Sequence, residues 1–152
     1  MCMSVLGCTT DEDRIRSVVR NELGSSAARE YIRDARTFGP YTPAQRIGGH
    51  LYLSGQIGID PASGNLISEM FCDQVCQIMQ NIESILKSAG YELDDLVSTT
   101  IYLTDMNDFQ EMNEIYSSFF NPDKYPARTT VQVAVLPRNA RIEITGVAFK
   151  SH

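Results

Sequence analysis

The chain has 152 residues, of which 43% are hydrophobic and 21% are charged, and this length and composition are typical of one globular domain. Thirteen basic and nineteen acidic residues give a formal net charge of −6, which repels nucleic-acid phosphates unless basic residues cluster locally. No run of Lys and Arg forms such a cluster. The composition therefore disfavours nucleic-acid binding, whereas a single arginine can still bind a small anion.

Residues 1–35 are predicted to form an N-terminal extension that is partly helical or mobile, ahead of a folded domain over 36–152. Thr10 can cap a short helix over 11–23, with acidic residues in its first turn and Gly24 after its end. The segment lacks the apolar region of a signal peptide, and no stretch is long enough to span a membrane. We therefore expect a cytoplasmic protein, with organellar targeting left open.

The four cysteines do not form a disulfide framework. Cys2 and Cys8 lie near the start of the chain, and Cys72 and Cys76 are four residues apart without a C-x-x-C pair. Cysteine is a common core residue, so we expect four free thiols and no bound metal. The sequence also lacks a Gly-rich phosphate loop and a dinucleotide fingerprint, and we expect no cofactor.

The spacing of hydrophobic residues predicts four strands and two helices in the domain. A proline-rich turn over 39–43 precedes the first strand, and a polar turn over 60–65 ends it. The predicted elements are a strand over 50–57, a helix of roughly twenty residues ending at Gly90, a strand over 96–103, a helix opened by Asn107, and strands over 129–135 and 141–149.

These elements predict an α+β domain with a single mixed β-sheet and two helices on one face. Such a sheet leaves its other face uncovered. Oligomerisation is the simplest way to cover that face.

Several catalytic chemistries are excluded by residue type. His50 and His152 are the only histidines, which rules out a histidine-based triad and a multi-histidine metal site. Ser54 lies in Leu-Ser-Gly-Gln and not in the G-x-S-x-G elbow of a hydrolase nucleophile.

Polar residues alternate with apolar ones in the two C-terminal strands. Arg128, Thr130 and Gln132 point away from the valines of their strand. Glu143 lies between Ile142 and Ile144 and faces the outer side of the sheet. Periodicity alone leaves two interpretations open, because Arg128 and Glu143 fit a surface ion pair and a solvated strand position as well as a site.

Residues 126–133, Pro-Ala-Arg-Thr-Thr-Val-Gln-Val, resemble the P-A-R-[ST]-x-V-[EQ]-V signature of the RidA/YjgF family of reactive-imine deaminases, also called the L-PSP endoribonuclease family. Leu136-Pro137 and Arg141–Ile144 follow at the family spacing. The resemblance extends over Phe38–Phe149. It is also carried by Gly39-Pro40-Tyr41, Ser54-Gly55-Gln56, the Asp60-Pro61/Gly64 turn, Asn81, Ala89-Gly90 and Asn107–Asn113.

The resemblance implies a chorismate-mutase-like (YjgF-like) fold, a homotrimer with sites in the clefts between subunits, and hydrolysis of 2-iminobutanoate or 2-iminopropanoate to a 2-oxo acid and ammonia. It implies that Arg128 binds the substrate carboxylate and that Glu143 activates water. It also implies that Tyr41, Asn113, Thr130 and Ser54 line the substrate site. Many family members carry Cys at the position of Thr130, and this difference weighs against regulation through a thiol.

One distance is inconsistent with a site inside a simple hairpin. If the two C-terminal strands paired about Pro137-Arg138, Arg128 and Glu143 would lie roughly 13 Å apart at 3.3 Å per residue. A small imino acid cannot bridge that distance. Either these strands form no simple hairpin, or the two residues meet across a subunit boundary.

Two other functions stay open at this point. One is an endoribonuclease or translation inhibitor, although the acidic charge and the lack of a histidine pair disfavour it. The other is a non-catalytic member of the same family that binds a small acid.

Overall fold

A computed structural model describes residues 28–33, 35 and 37–151, so the helix predicted over 11–23 lies outside the described residues. The strands are β1 (Arg29–Ile32), β2 (Ala44–Ile47), β3 (His50–Gln56), β4 (Leu96–Leu103), β5 (Ala127–Gln132) and β6 (Ile142–Phe149), and the helices are α1 (Phe71–Ser88) and α2 (Phe109–Ser117). The strands form one sheet in the order β1-β2-β3-β6-β4-β5. The β4–β5 pair is parallel and the other pairs are antiparallel.

Helix α1 forms because its apolar residues repeat with the period of an α-helix. Its inner face buries Val75, Ile78, Met79, Ile82, Ile85 and Leu86. The helix ends at a left-handed Gly90 with φ +80°, the backbone conformation that glycine adopts at lowest cost after a helix. The predicted helix is therefore confirmed, including its end.

The sheet has one covered face and one uncovered face. In β6 the buried residues Ile142, Ile144 and Ala148 alternate with half-buried Glu143 and Thr145, and the buried set joins the helix-side core. On the other face Tyr52 pairs with Val147 and is 48% exposed. The α+β class, a single mixed sheet with two helices on one face, is confirmed.

The first two strands were not predicted. Each has four residues, and only Ile32 is buried in β1 and only Ala44 in β2, so neither shows the alternation that marks a half-buried strand. Strand β1 lies within the segment 1–35 that the sequence analysis assigned to the extension. The sheet therefore begins before residue 36.

Strands β5 and β6 do not form a hairpin, because β4 lies between them. After β5 the chain passes the end of β4, where Val133 donates to the Leu103 carbonyl. It then turns through Arg138 and Asn139, whose φ angles are 58° and 57°. The simple hairpin on which the 13 Å separation was based is therefore absent.

Candidate functional site

A cleft of about 730 Å³ lies where β3 ends and β6 begins. Its walls come from the loop before β2, the end of β3, the outer surface of α1 and the turn before β6. The polar lining residues include Tyr41, Ser54, Gln56, Asn81, Arg138 and Glu143. Three of the residues predicted for the site therefore line one cleft.

Glu143 is the acidic group of this cleft. It is the second residue of β6, and its neighbours Ile142 and Ile144 are fully buried, so the strand holds the Glu143 backbone firmly. Burial raises the pKa of the Glu143 carboxyl above the ordinary value of 4.5, because partial removal from water disfavours the charged form. A carboxylate with a raised pKa is a stronger base, which suits general-base catalysis.

Ser54 connects β3 to the loop that contains Tyr41 through two hydrogen bonds. Its hydroxyl donates to the Thr42 carbonyl at 2.6 Å, and its backbone N–H donates to the Pro43 carbonyl at 2.9 Å. The Tyr41 side chain is 47% exposed, and its hydroxyl accepts from the Phe38 N–H at 3.4 Å. Ser54 therefore positions the wall of the cleft, whereas Tyr41 presents its ring to the cleft.

Arg138 also lines the cleft, although the sequence did not indicate it. Its guanidinium lies 4.3 Å from the centre of the Phe38 ring and donates to the Gly64 carbonyl at 3.1 Å. These contacts join three separate segments at the rim of the cleft. No local pattern in Leu-Pro-Arg-Asn indicates this, because the left-handed backbone at Arg138 directs the side chain.

Asn81 was noted only as part of the family pattern. Its amide donates to the Ile59 carbonyl at 2.9 Å and accepts from the Gln77 amide at 2.9 Å. This fixes the loop after β3 on the helix. Asn81 therefore supports the cleft wall through a side chain that is itself fully engaged.

Arg128 lies elsewhere, on β5 at the far edge of the sheet. It pairs with Thr99, which in turn pairs with Gly146, so its side chain is on the helix side of the sheet. The guanidinium lies 5.3 Å from the Tyr116 ring centre and 5.8 Å from that of Phe109. These are cation–π distances, and none of the ion pairs between the described residues includes Arg128.

The Tyr116 ring packs against the Arg128 guanidinium. Its hydroxyl is 2.9 Å from the Thr99 hydroxyl in the core. Burial raises the pKa of Tyr116, while the Thr99 hydrogen bond and the Arg128 charge oppose that shift. Tyr116 is therefore a neutral aromatic surface on which the guanidinium is held.

Thr130 lies on the same side of the sheet as Arg128, two residues along β5. Asn113 is half-buried on α2, four residues after Phe109 and three before Tyr116, so helical spacing places it on the face of α2 that meets Arg128. Among the described residues, the Thr130 Oγ1 is the one buried side-chain oxygen or nitrogen without a hydrogen-bond partner. Buried polar groups are usually paired, so the Thr130 hydroxyl has an unused capacity for a hydrogen bond in the single chain.

The six predicted site residues therefore form two clusters. The cleft cluster is Tyr41, Ser54 and Glu143, and the edge cluster is Arg128, Thr130 and Asn113. Through Thr99, Arg128 is aligned with Gly146 of β6, two strands away, and Glu143 is three residues from Gly146 along that strand. Arg128 and Glu143 are therefore separated by roughly 10 Å across the strands and roughly 10 Å along them. They also lie on opposite faces of the sheet, so one small ligand cannot contact both within one chain.

The described residues contain no group of three or more His, Cys, Asp or Glu side chains placed to hold a metal ion. Cys72 and Cys76, both on α1, are free thiols. None of the described helices has the length and hydropathy needed to cross a membrane. Cys2 and Cys8 lie outside the described residues.

Comparison with known proteins identifies the family. The family model described as Endoribonuclease L-PSP matches residues 32–150. A RutC family protein of Pyrococcus horikoshii is 44% identical over 115 residues, which cover 76% of this chain and 90% of that protein. The human 2-iminobutanoate/2-iminopropanoate deaminase is 43% identical over 129 residues, which cover 83% of this chain and 93% of the human protein.

A solved structure gives the same result for the fold. The Rid-family protein of Yersinia pestis superposes with a TM-score of 0.78 at 38% identity, covering 81% of this chain and all of that chain. That protein is described as one of unknown function, so the likeness concerns the fold and the family. The mixed sheet, the Pro-Ala-Arg strand and these matches show that the chain belongs to the RidA/YjgF (L-PSP) family.

Proposed function

We propose that the chain is an imine deaminase that hydrolyses small 2-imino acids to 2-oxo acids and ammonia. The observation that carries this proposal is the half-buried Glu143 carboxyl in a cleft large enough for a small acid. The activity named for the human relative supports it.

The reaction requires little machinery. The imine carbon is electrophilic, and a water molecule adds to it while Glu143 accepts one proton from that water. With the imine in its protonated form, this addition gives a neutral carbinolamine. Glu143 passes its proton to the carbinolamine nitrogen, the C–N bond breaks, and the hydroxyl proton passes through the Glu143 carboxylate to the departing ammonia, which leaves as ammonium. The carbon becomes the carbonyl of a 2-oxo acid, and Glu143 is again a carboxylate at the end of the cycle.

Arg128 supplies the anchor in this proposal. A guanidinium binds a carboxylate through two parallel hydrogen bonds, which fixes both the position and the orientation of the imine carbon. Thr130 and Asn113 complete the edge cluster around the ligand, and Tyr41 and Ser54 complete the cleft. Because one chain separates the clusters, the working site is formed where the cleft of one subunit meets the edge cluster of another.

A homotrimer gives each cleft such a partner in a closed ring. The uncovered sheet face supports assembly, since it exposes Tyr31, Tyr52 and Val131 between 38% and 48%. Light scattering at micromolar concentration is expected to give the mass of three chains. A stable monomer would remove the shared site and the proposal with it.

The activity is tested directly by supplying freshly generated 2-aminoacrylate and measuring the release of ammonia and pyruvate. The expected result is release faster than in buffer alone. The same preparation is incubated with single-stranded RNA, since the family model is described as an endoribonuclease. RNA cleavage without accelerated imine hydrolysis would overturn the proposal, and binding of 2-oxo acids with neither activity would identify a ligand-binding protein.

A further inference from the structure

We propose that Gly55 is a positioning residue for the reaction: its missing side chain provides the space in which the Glu143 carboxyl group is held. The inference depends on the proposed function, in which Glu143 activates water. It adds a role for a residue that offers no functional group of its own.

The space beside Gly55 is filled by Glu143. A Cβ atom built on Gly55 would overlap the Glu143 Oε1, and it would lie 2.8 Å from Cδ and 3.1 Å from Cγ. All three of its nearest neighbours would be atoms of this one side chain. The carboxyl group therefore rests on the bare backbone of β3.

The backbone itself does not require glycine at this position. The described glycines with positive φ are Gly48, Gly64 and Gly90, so Gly55 has a conformation that other residues adopt readily. The contrast with Gly58 is instructive, because a Cβ there would meet backbone atoms of Gln74 at 2.8 and 3.1 Å. Helix packing explains Gly58, whereas the Glu143 carboxyl explains Gly55.

A β-bulge in β3 forms the space beside Gly55. The β3–β6 register shifts between Leu53 and Gln56, so Ser54 and Gly55 together face Thr145. The Thr145 hydroxyl donates to the Leu53 carbonyl at 2.6 Å and fixes the bulge from the β6 side. Bulges redirect the strand next to functional sites, and this one turns the Gly55 backbone toward the cleft.

The test substitution is Gly55→Ala. Its Cβ meets the flexible end of a side chain, so the fold should be retained while the carboxyl group moves. Because displacement of a catalytic group by about 1 Å can cost on the order of 10²-fold in rate, kcat is expected to fall on that order. KM should change little, since Arg128 and the edge cluster are untouched.

A double-mutant cycle distinguishes positioning from a general structural effect. If Gly55 acts through Glu143, adding Gly55→Ala to Glu143→Gln should change kcat by less than about 2-fold. The pair Gly55→Ala/Glu143→Asp should recover part of the activity lost in Gly55→Ala, because the shorter carboxylate withdraws from the new Cβ. Gly58→Ala is the matched control and should lower the melting temperature without this dependence on Glu143.

A readout that needs no substrate is the NMR titration of the Glu143 carboxyl carbon. Burial raises the Glu143 pKa in the native protein, and displacement from its seat in Gly55→Ala should move that pKa toward the ordinary value. If Gly55→Ala does not fold, adding Glu143→Ala should restore folding, because it removes the overlapping atoms. Continued misfolding of that double variant would overturn the inference.

The two proposals fail in different ways. Wild-type kcat in folded Gly55→Ala, beside an inactive Glu143→Gln, would overturn the role of Gly55 and leave the deaminase intact. Full activity in Glu143→Gln would overturn the assigned chemistry. In that case an unchanged Glu143 pKa in Gly55→Ala would also overturn the proposed role of Gly55.

Discussion

The cleft cluster and the edge cluster differ in how their charged groups are held. In the cleft, Glu143 rests against backbone, and the neighbouring Arg138 is engaged by Phe38 and the Gly64 carbonyl. At the edge, Arg128 packs against aromatic rings and has no ion-pair partner among the described residues. The Thr130 hydroxyl beside it is buried and has no hydrogen-bond partner among those residues. In the proposed mechanism the cleft cluster supplies the base and the edge cluster supplies the carboxylate anchor.

The largest expected effect comes from substituting Arg128, the proposed carboxylate anchor. A charge-assisted hydrogen bond contributes roughly 1.5–3 kcal/mol, so Arg128→Ala should lower kcat/KM on the order of 10²-fold or more. Arg128→Lys should also be impaired, because a point charge cannot fix the orientation of the imine carbon. Steady-state kinetics on 2-iminobutanoate measures both.

Arg46→Ala is the matched control, since Arg46 forms an ion pair with Glu30 on the β1–β2 side of the sheet. It should retain wild-type rates. If folded, trimeric Arg128→Ala hydrolysed the imine at the wild-type rate, the cleft cluster would work without the edge cluster, and the two would not form one site.

Mixing two inactive variants tests whether the clusters belong to different chains. Arg128→Ala and Glu143→Gln subunits are unfolded and refolded together in equal amounts. About a quarter of the wild-type activity should be recovered, because each shared site takes its cleft and its edge cluster from different subunits of a closed ring and each of the two is intact in half of the subunits. Each variant refolded alone should keep only its own residual activity, which is far below a quarter of the wild-type activity. No recovery in verified mixed trimers would place both residues of a working site in one chain.

Substitution of Thr130 should have a smaller effect, in which stability is kept or raised while substrate binding is weakened. Thr130→Val replaces a buried, unpaired hydroxyl by a methyl group, so thermal stability should be unchanged or slightly higher. If the hydroxyl contacts the ligand, KM should rise by up to about tenfold. Thr130→Ser keeps the hydroxyl and serves as the comparison, and an unchanged KM in Thr130→Val would remove Thr130 from the site.

The smallest effect concerns the pH dependence of stability. Burial raises the pKa of Glu143 in the folded state, so its contribution is fully present below the unfolded pKa and is lost as the pH rises through the folded value. Glu143→Gln lacks that loss and should melt slightly above the wild type at neutral pH. At pH 4 the difference should disappear, and calorimetry at both pH values checks the sign.

The sequence predicted best where apolar and β-branched residues fill a strand. Strand β4 has the predicted bounds, Leu96–Leu103, because its β-branched residues follow the pleat and tertiary packing does not override them. Strands β1 and β2 were missed because each buries a single residue, and edge pairing holds them without an apolar pattern.

The arrangement of the site was less predictable than its residues. The family pattern named Arg128 and Glu143, but alternation within a strand does not say which face is covered. The structure shows that the polar residues of β5 face α2 and that Val131 faces the uncovered side. The contact between Gly55 and Glu143 joins residues far apart in sequence through a bulge, and no local signal predicts it.

The position of β6 has a consequence for how the protein is made. Strands β1–β3 form one ribbon and β4–β5 another, and β6 alone pairs with both. The two ribbons cannot join into a sheet until residues 142–149 have left the ribosome, so synthesis reaches that point with unpaired strand edges exposed. Such edges are prone to aggregation, and we expect nascent chains that end before Ile142 to depend on chaperones.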